Sequence, residues 1–314
     1  MNPRPPAMRR DLNIGTTWLL PAWSRGPHGD EQAVLEAARE AGYQGVQGAN
    51  PRRCRALGLV PTTFDLRPVP GGLVERARKW ADLGFACSTL LVGTGMESDD
   101  EAARLIEEVL QASVSARIPL YVETHRATVT QDLWRTLQLV KRFPEVRFNG
   151  DFSHWYTGHE MPTGDFDAKL DLLAPVFERV RYLHGRIGTA GCIQIDVGDG
   201  LAEERPSVAH FRAFWTRAFA GFLATAADDL VPPADMEMGF APELLPPEFG
   251  YALVMPGPGD ELRETGDRWE QALVLSRMAS ECFVEARRPI VDCASDPTAP
   301  PTAVSTGLTR RTAP

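Results

Sequence analysis

Cysteine is scarce in this chain. The five residues Cys54, Cys87, Cys192, Cys282 and Cys293 are far apart, odd in number and contain no C-x-x-C pair. That pattern excludes a disulfide scaffold and a zinc ribbon and fits a reducing compartment, so a cytoplasmic protein is expected. Basic charge is short as well: 33 Lys plus Arg stand against 42 Asp plus Glu, a formal net charge of −9. Nucleic-acid binders and polybasic membrane-surface proteins draw their affinity from Lys and Arg, so neither partner is expected here. No run approaches the ~20 apolar residues needed to span a bilayer. No apolar stretch follows the Arg-containing start, as a secretory signal would require. A dinucleotide-binding G-x-G-x-x-G turn is also missing. The nearest candidate, Gly93-Thr94-Gly95, lacks the third glycine and runs into acidic residues.

The composition that is present is that of a globular protein, with 43% hydrophobic and 24% charged residues. Residues 1–10 are rich in Pro and Arg and residues 294–314 in Pro, Thr, Ala and Ser, so both ends read as disordered. The intervening 11–293 read as one folded domain. Strand-type runs lie at Leu12–Thr17, Gly45–Gln47, Val60–Phe64, Thr89–Val92, Leu120–Glu123, Val146–Asp151, Tyr182–Arg186 and Asp235–Met238. Between them the apolar period changes to that of helices, over Glu31–Ala41, Leu73–Leu83, Asp99–Arg117, Gln131–Arg142, Asp167–Glu178, Ser207–Leu223 and Asp267–Glu285. A short helix fits Pro51–Leu57. Strands alternating with helices over this length give a closed (β/α)8 TIM barrel or an open doubly wound sheet, and the missing phosphate turn favours the barrel. The long connections 187–206 and 239–265 would then lie on the active-site face as lid candidates.

The informative positions are the strand ends. The fifth strand finishes at Glu123, with His125 and Arg126 just beyond; the sixth at Asp151, with His154 and Trp155; the seventh at His184, with Arg186; the eighth at Glu237. In a barrel these edges converge on one mouth. Three carboxylates and an imidazole gathered there would repel one another without a cation between them. Their O and N donors suit one Mn²⁺, Mg²⁺, Co²⁺ or Zn²⁺ ion with positions left open for substrate oxygens.

With these residues in this order, the sequence resembles the xylose isomerase-like TIM barrels, the superfamily of D-tagatose 3-epimerase-type ketose epimerases, inosose dehydratase and endonuclease IV. The resemblance covers essentially the whole folded region, including Asp267-Arg268-Trp269-Glu270 at the start of the last helix. It implies that Glu123, Asp151, His184 and Glu237 hold one metal. It also implies that His154, three residues after Asp151, and Arg186 hold substrate oxygens. Arg186 lies closer to His184 than its counterpart does in the epimerases.

Such a site supports proton chemistry beside a carbonyl. A divalent ion chelated by a carbonyl oxygen and a neighbouring hydroxyl stabilises the enediolate left when the α proton is removed. Glu123 and Glu237, on opposite faces of the substrate, would remove and return that proton, giving a sugar isomerase or epimerase acting on a ketose or related polyol-carbonyl compound. Expulsion of a β-hydroxyl from the same enediolate would give a dehydratase or lyase of a keto-sugar or keto-inositol. The epimerases carry a further Glu six residues after the fifth-strand ligand, where this chain has Val129. His125 and His159 are extra imidazoles able to act as acids, which favours the lyase alternative. Trp18 and Trp155 are candidates for an apolar wall against a sugar face. A non-catalytic sugar-binding barrel and an endonuclease IV-like enzyme are the remaining readings, the latter opposed by the acidic charge. Dimers and tetramers are common in the superfamily, so a homo-oligomer is a further expectation of the resemblance.

Overall fold

The computed structural model describes residues 5–66, 70–201, 205–257 and 261–288. Eight parallel strands close into a barrel in sequence order. They are β1 Ala7–Asn13, β2 Gly45–Gln47, β3 Val60–Leu66, β4 Ser88–Leu91, β5 Leu120–Glu123, β6 Phe148–Gly150, β7 Val180–Gly185 and β8 Glu237–Pro242. The helices are α1 Glu31–Glu40, α2 Pro51–Ala56, α3 Leu73–Leu83, α4 Asp99–Ala116, α5 Leu133–Arg142, α6 Phe152–Gly158, α7 Phe166–Leu172, α8 Ala174–Phe177, α9 Pro206–Thr225 and α10 Arg268–Ala286. A small antiparallel pair, β9 Val254–Pro256 with β10 Leu262–Glu264, stands outside the barrel after β8.

Local chemistry explains these elements. Side chains that accept from a backbone N–H in the first turn start α1 (Asp30), α2 (Asn50), α5 (Asp132), α7 (Asp165) and α10 (Asp267), and Ser98 with Glu101 forms a capping box at α4. The helix expected over 167–178 is two helices, α7 and α8. Pro175, in the first turn of α8, lacks the N–H that a continuous helix would need. The apolar faces of the helices pack on the outer faces of the strands. A typical contact sets Trp215 of α9 edge-on against Phe240 of β8, ring centroids 5.0 Å apart. Among the described residues, no helix is long and apolar enough to cross a membrane.

Two strand boundaries differ from expectation, and both matter for the site. β1 begins at Ala7, inside the stretch read as disordered, and the segment Ile14–Thr17 is a 3-10 turn beyond its end. Arg9 is turned inward and pairs with buried Asp11, so a strand with a charged inner face escaped a hydrophobic pattern. β8 starts at Glu237 and runs on through Gly239 to Pro242. Gly239 reads as a strand terminator, yet it sits within the strand because the Tyr182 ring fills the space beside it: a Cβ there would lie 2.3 Å from Tyr182 Cε2. Residues 294–314 lie outside the described residues.

Candidate functional site

Alternate residues of each strand point into the barrel. On β7 and β8 the register pairs Tyr182 with Gly239 and His184 with Ala241. Glu237 therefore points inward too, but four residues below His184's partner, about 13 Å at ~3.3 Å per residue. It pairs with Ala7 at the N-terminal edge, and its Oε2 lies 3.5 Å from Arg9 Nη1. Glu237 is thus a floor residue, neither a metal ligand nor a catalytic group at the mouth. The residue in its expected place is Glu243, immediately after β8 and of the same inward parity. Continuing the strand pattern of Met238–Ala241 through Gly239 was the sequence signal that leads to it.

The mouth brings together Glu123, Asp151, His184 and Glu243, one donor atom from each lying within 4.8 Å of all the others. Glu123 ends β5, and its Oε2 accepts from Asn149 Nδ2 at 3.0 Å. Asp151 follows β6 as the N-cap of α6, accepting from the Ser153 N–H at 3.1 Å and the Ser153 hydroxyl at 2.5 Å. The Gln47 Oε1 can only accept, so His184 Nε2, 2.8 Å away, carries a hydrogen towards it. His184 Nδ1 is consequently turned to the carboxylates, 3.4 Å from Glu123 and 3.5 Å from Glu243. Gln47 is itself held, accepting from Asn13 at 2.9 Å and donating to Thr89 at 3.0 Å. Asn13 also donates to Glu243 Oε1 at 3.1 Å. This amide layer of Asn13, Gln47 and Asn149 escaped the sequence reading, because its partners lie across the barrel, on strands far away in sequence.

His154 and Arg186 join this cluster at Asp151. The Arg186 guanidinium contacts the Asp151 carboxylate, stands 3.2 Å from Glu243 Oε2 and 3.0 Å from His154 Nε2, and lies under the Tyr251 ring at 4.6 Å. His154 is almost fully buried and its Nδ1 has no partner among the described residues. His125 lines the open cavity, its ring centroid 3.7 Å from that of His154 and tilted 43° to it. Trp18 lines the cavity as expected. Trp155 does not: it is fully buried, donates from Nε1 to the Thr130 carbonyl at 2.8 Å and packs on Phe152, so it is core. His159 caps the Gln131 carbonyl at 3.0 Å, and Val129 is buried.

Charge is unevenly settled here. Burial would lower the His184 pKa, but Glu243, Glu123 and Asp151 outweigh it and raise it to about 9. Burial raises Glu243 to about 7 against the pull of His184 and Arg186. For Glu123 and Asp151 burial pushes upward, and nearby cations override it: chiefly His184 lowers Glu123, and chiefly Arg186 lowers Asp151. His154 is lowered to about 4 and His125 is lowered too, burial being the main cause in both. Both are therefore neutral imidazoles at neutral pH.

The four-residue set fits a divalent ion. It offers three hard oxygen donors and one nitrogen, and that nitrogen is turned to the carboxylates because the other side of the ring is tied to Gln47, the usual arrangement behind a ligating histidine. A cavity of about 400 Å³ opens above it, bounded in part by one of the two expected lid connections. The segment after β8 supplies Glu243, Leu245, Phe249 and Tyr251 to its lining. The 187–206 connection braces that segment: Gln194 donates to the Leu245 carbonyl and accepts from the Leu245 N–H, both at 2.9 Å.

No protein-family model and no curated protein matches the sequence. Among solved structures, the chain is similar to a xylose isomerase-like TIM barrel protein from Mycobacterium smegmatis in complex with magnesium. The identity is 13% and the TM-score 0.50, with 88% of this chain and 97% of that chain covered. A sugar phosphate isomerase/epimerase from Parabacteroides distasonis aligns at 11% identity and TM-score 0.48, over 86% and 97% of the two chains. The probable 3-DHS dehydratase AsbF from Bacillus anthracis aligns at 13% and 0.48, over 86% and 97%. At such identities the likeness concerns the fold alone: this chain is a single (β/α)8 barrel.

Proposed function

From a xylose isomerase-like barrel whose mouth gathers three carboxylates and an imidazole, we propose a divalent-metal-dependent isomerase or epimerase acting on a ketose or related polyol-carbonyl compound. The observation that carries this reading is the convergence of Glu123, Asp151, His184 and Glu243 on one point, with His184 Nδ1 presented by the Gln47 contact. Mn²⁺, Mg²⁺, Co²⁺ and Zn²⁺ all suit this donor set. A bound ion supplies Lewis acidity that makes a hydrogen beside a carbonyl easier to remove.

The chain's own groups do the rest. Glu123 and Glu243 flank His184 and both line the cavity, so a carbon held between them is within reach of a carboxylate oxygen on either side. One Oε takes the α proton and the other returns one to the opposite face, which inverts the centre. Arg186 and His154 sit behind Asp151 and fix its direction. The apolar cover of Trp18, Leu245 and Phe249 limits water at the reacting carbon.

A dehydratase or lyase is the second reading, and the position of His125 supports it. This neutral imidazole lines the cavity with Nδ1 on the Arg126 carbonyl and Nε2 3.5 Å from the Tyr251 hydroxyl, so a β-hydroxyl departing beside the pair would take the Tyr251 proton and leave as water, the α proton going to a carboxylate of the cluster. Incubating the Mn²⁺-loaded protein with candidate ketoses in D₂O separates the two. Deuterium at the α carbon with otherwise unchanged mass supports isomerisation or epimerisation, and loss of one water supports dehydration. Exchange that survives Glu123→Gln or metal removal would sink both.

A further inference from the structure

Above the charged cluster the cavity changes character. One side is built from Trp18 beyond β1, Phe64 and Leu66 of β3, Leu91 of β4, and Leu245 and Phe249 after β8. Among the described residues, the polar side chains on the lining outside the proposed ligands and the Trp18 indole N–H are Asn13, His125 and Tyr251. Asn13 is already committed to Gln47 and Glu243. Among the described residues nothing covers the apolar side: Trp18 is 38% and Phe249 51% exposed, their rings 5.8 Å apart and tilted by 35°. It is also built on purpose at its base. Phe64 reaches the lining only because Gly48, at φ +87°, leaves room: a Cβ there would stand 2.6 Å from Phe64 Cε1.

A free sugar is a poor occupant of such a space. Its hydroxyls would give up water against side chains that can neither donate nor accept, leaving polar groups buried and unpaired. The cavity of about 400 Å³ falls in the range of roughly 300–1,000 Å³ that encloses drug-sized ligands. A contiguous apolar patch that opens directly onto reactive groups marks a place for apolar ligand surface. Trp18 and Phe249 together offer flat faces, which suit a planar ring.

We propose that the substrate is amphipathic: a polyol-carbonyl end meets Glu123, His184 and Glu243, and a planar apolar group of aryl size rests on Trp18, Phe64, Leu66 and Phe249. The proposal rests on the reading given under Proposed function, and adds the substrate's second half. The wall lies beside the reacting end, so the aryl group is carried close to the carbonyl and is not a distant appendage.

Calorimetry on the Mn²⁺-loaded protein tests this with D-fructose and 1-anilino-1-deoxy-D-fructose, which share a ketose end and differ by an aryl ring. The aryl compound is expected to bind at least about tenfold tighter, the scale of apolar discrimination in a fitted pocket. Phe249→Ala and Trp18→Ala, both at exposed positions, should bring the ratio close to one while leaving the Mn²⁺ titration unchanged. Thermal unfolding of each variant checks that the barrel is intact, and Leu66→Asn provides a third position on the same wall. A ratio below about threefold, undetectable binding of both sugars, or a preference that survives all three variants would overturn the proposal. Normal Mn²⁺ binding in that case leaves the metal site standing, whereas failure of Mn²⁺ to bind wild-type protein removes the parent reading instead.

Discussion

The two ends of the barrel interior hold similar charged groups and settle them differently. On the floor, Arg9 donates from Nε and Nη2 to the two oxygens of Asp11 at 2.7 and 2.8 Å, and Tyr182 adds its hydroxyl to Asp11 at 2.8 Å. Glu237 faces the remaining Arg9 nitrogen. Burial alone would lower the Arg9 pKa, but Asp11 more than reverses this, so the guanidinium stays charged and the pair is closed on itself. At the mouth, three carboxylates share one guanidinium and one imidazole, and that imidazole is protonated only because they surround it. His154 Nδ1 is buried beside them without a partner among the described residues. A finished network stabilises the fold; an unfinished one is a place for something else to bind.

The largest expected effect breaks the floor. Arg9→Met leaves Asp11 buried without its cation and should cost about 3–5 kcal/mol of stability in urea unfolding, with Mn²⁺ affinity unchanged. If affinity falls with stability, the two ends are not independent. Next in size is a matched pair of isosteric changes. Glu243→Gln is expected to weaken Mn²⁺ binding by about 100-fold, while Glu237→Gln, at the opposite end of the same strand, leaves the titration as in wild type. Equal losses would erase the distinction between the ends.

A pH series sharpens the comparison further. His184, raised to about 9, keeps its Nδ1 proton at neutral pH, and an ion binding there must expel it. Apparent Mn²⁺ affinity should therefore rise with pH, about tenfold per unit between 7 and 9 for one proton released, and level off above. Titrations in buffers of different ionisation enthalpy count that proton directly. A flat profile would mean that His184 is not a ligand. The smallest effect belongs to Trp155→Phe, which loses the bond to the Thr130 carbonyl and should cost about 1 kcal/mol of stability. Ligand binding should not move, as befits a core residue.

Much of this was legible in the sequence. The alternation of strands and helices, and the polar ends of β5, β6 and β7, are local patterns, so Glu123, Asp151 and His184 could be read from their own neighbours. Two strands were misplaced for reasons that local pattern does not contain. Arg9 looks like a surface residue until Asp11 is seen beside it in the barrel interior. Gly239 looks like a breaker until Tyr182 is seen to fill its missing side chain. A strand that stops before Gly239 puts Glu237 at the mouth, whereas the strand that runs on through Gly239 puts Glu243 there. Trp155 was drawn to the mouth by its closeness to Asp151, but α6 begins at that point and turns it into the layer between strands and helices.

The stretch 243–251 carries a carboxylate of the cluster, two residues of the apolar wall and the ring that covers Arg186, all fastened to the neighbouring connection through Leu245. Reactivity and selectivity are thereby inherited as one cassette. A barrel that exchanged this stretch with a relative would change its substrate and its competence at a single stroke, whereas drift elsewhere around the rim could retune only one of them.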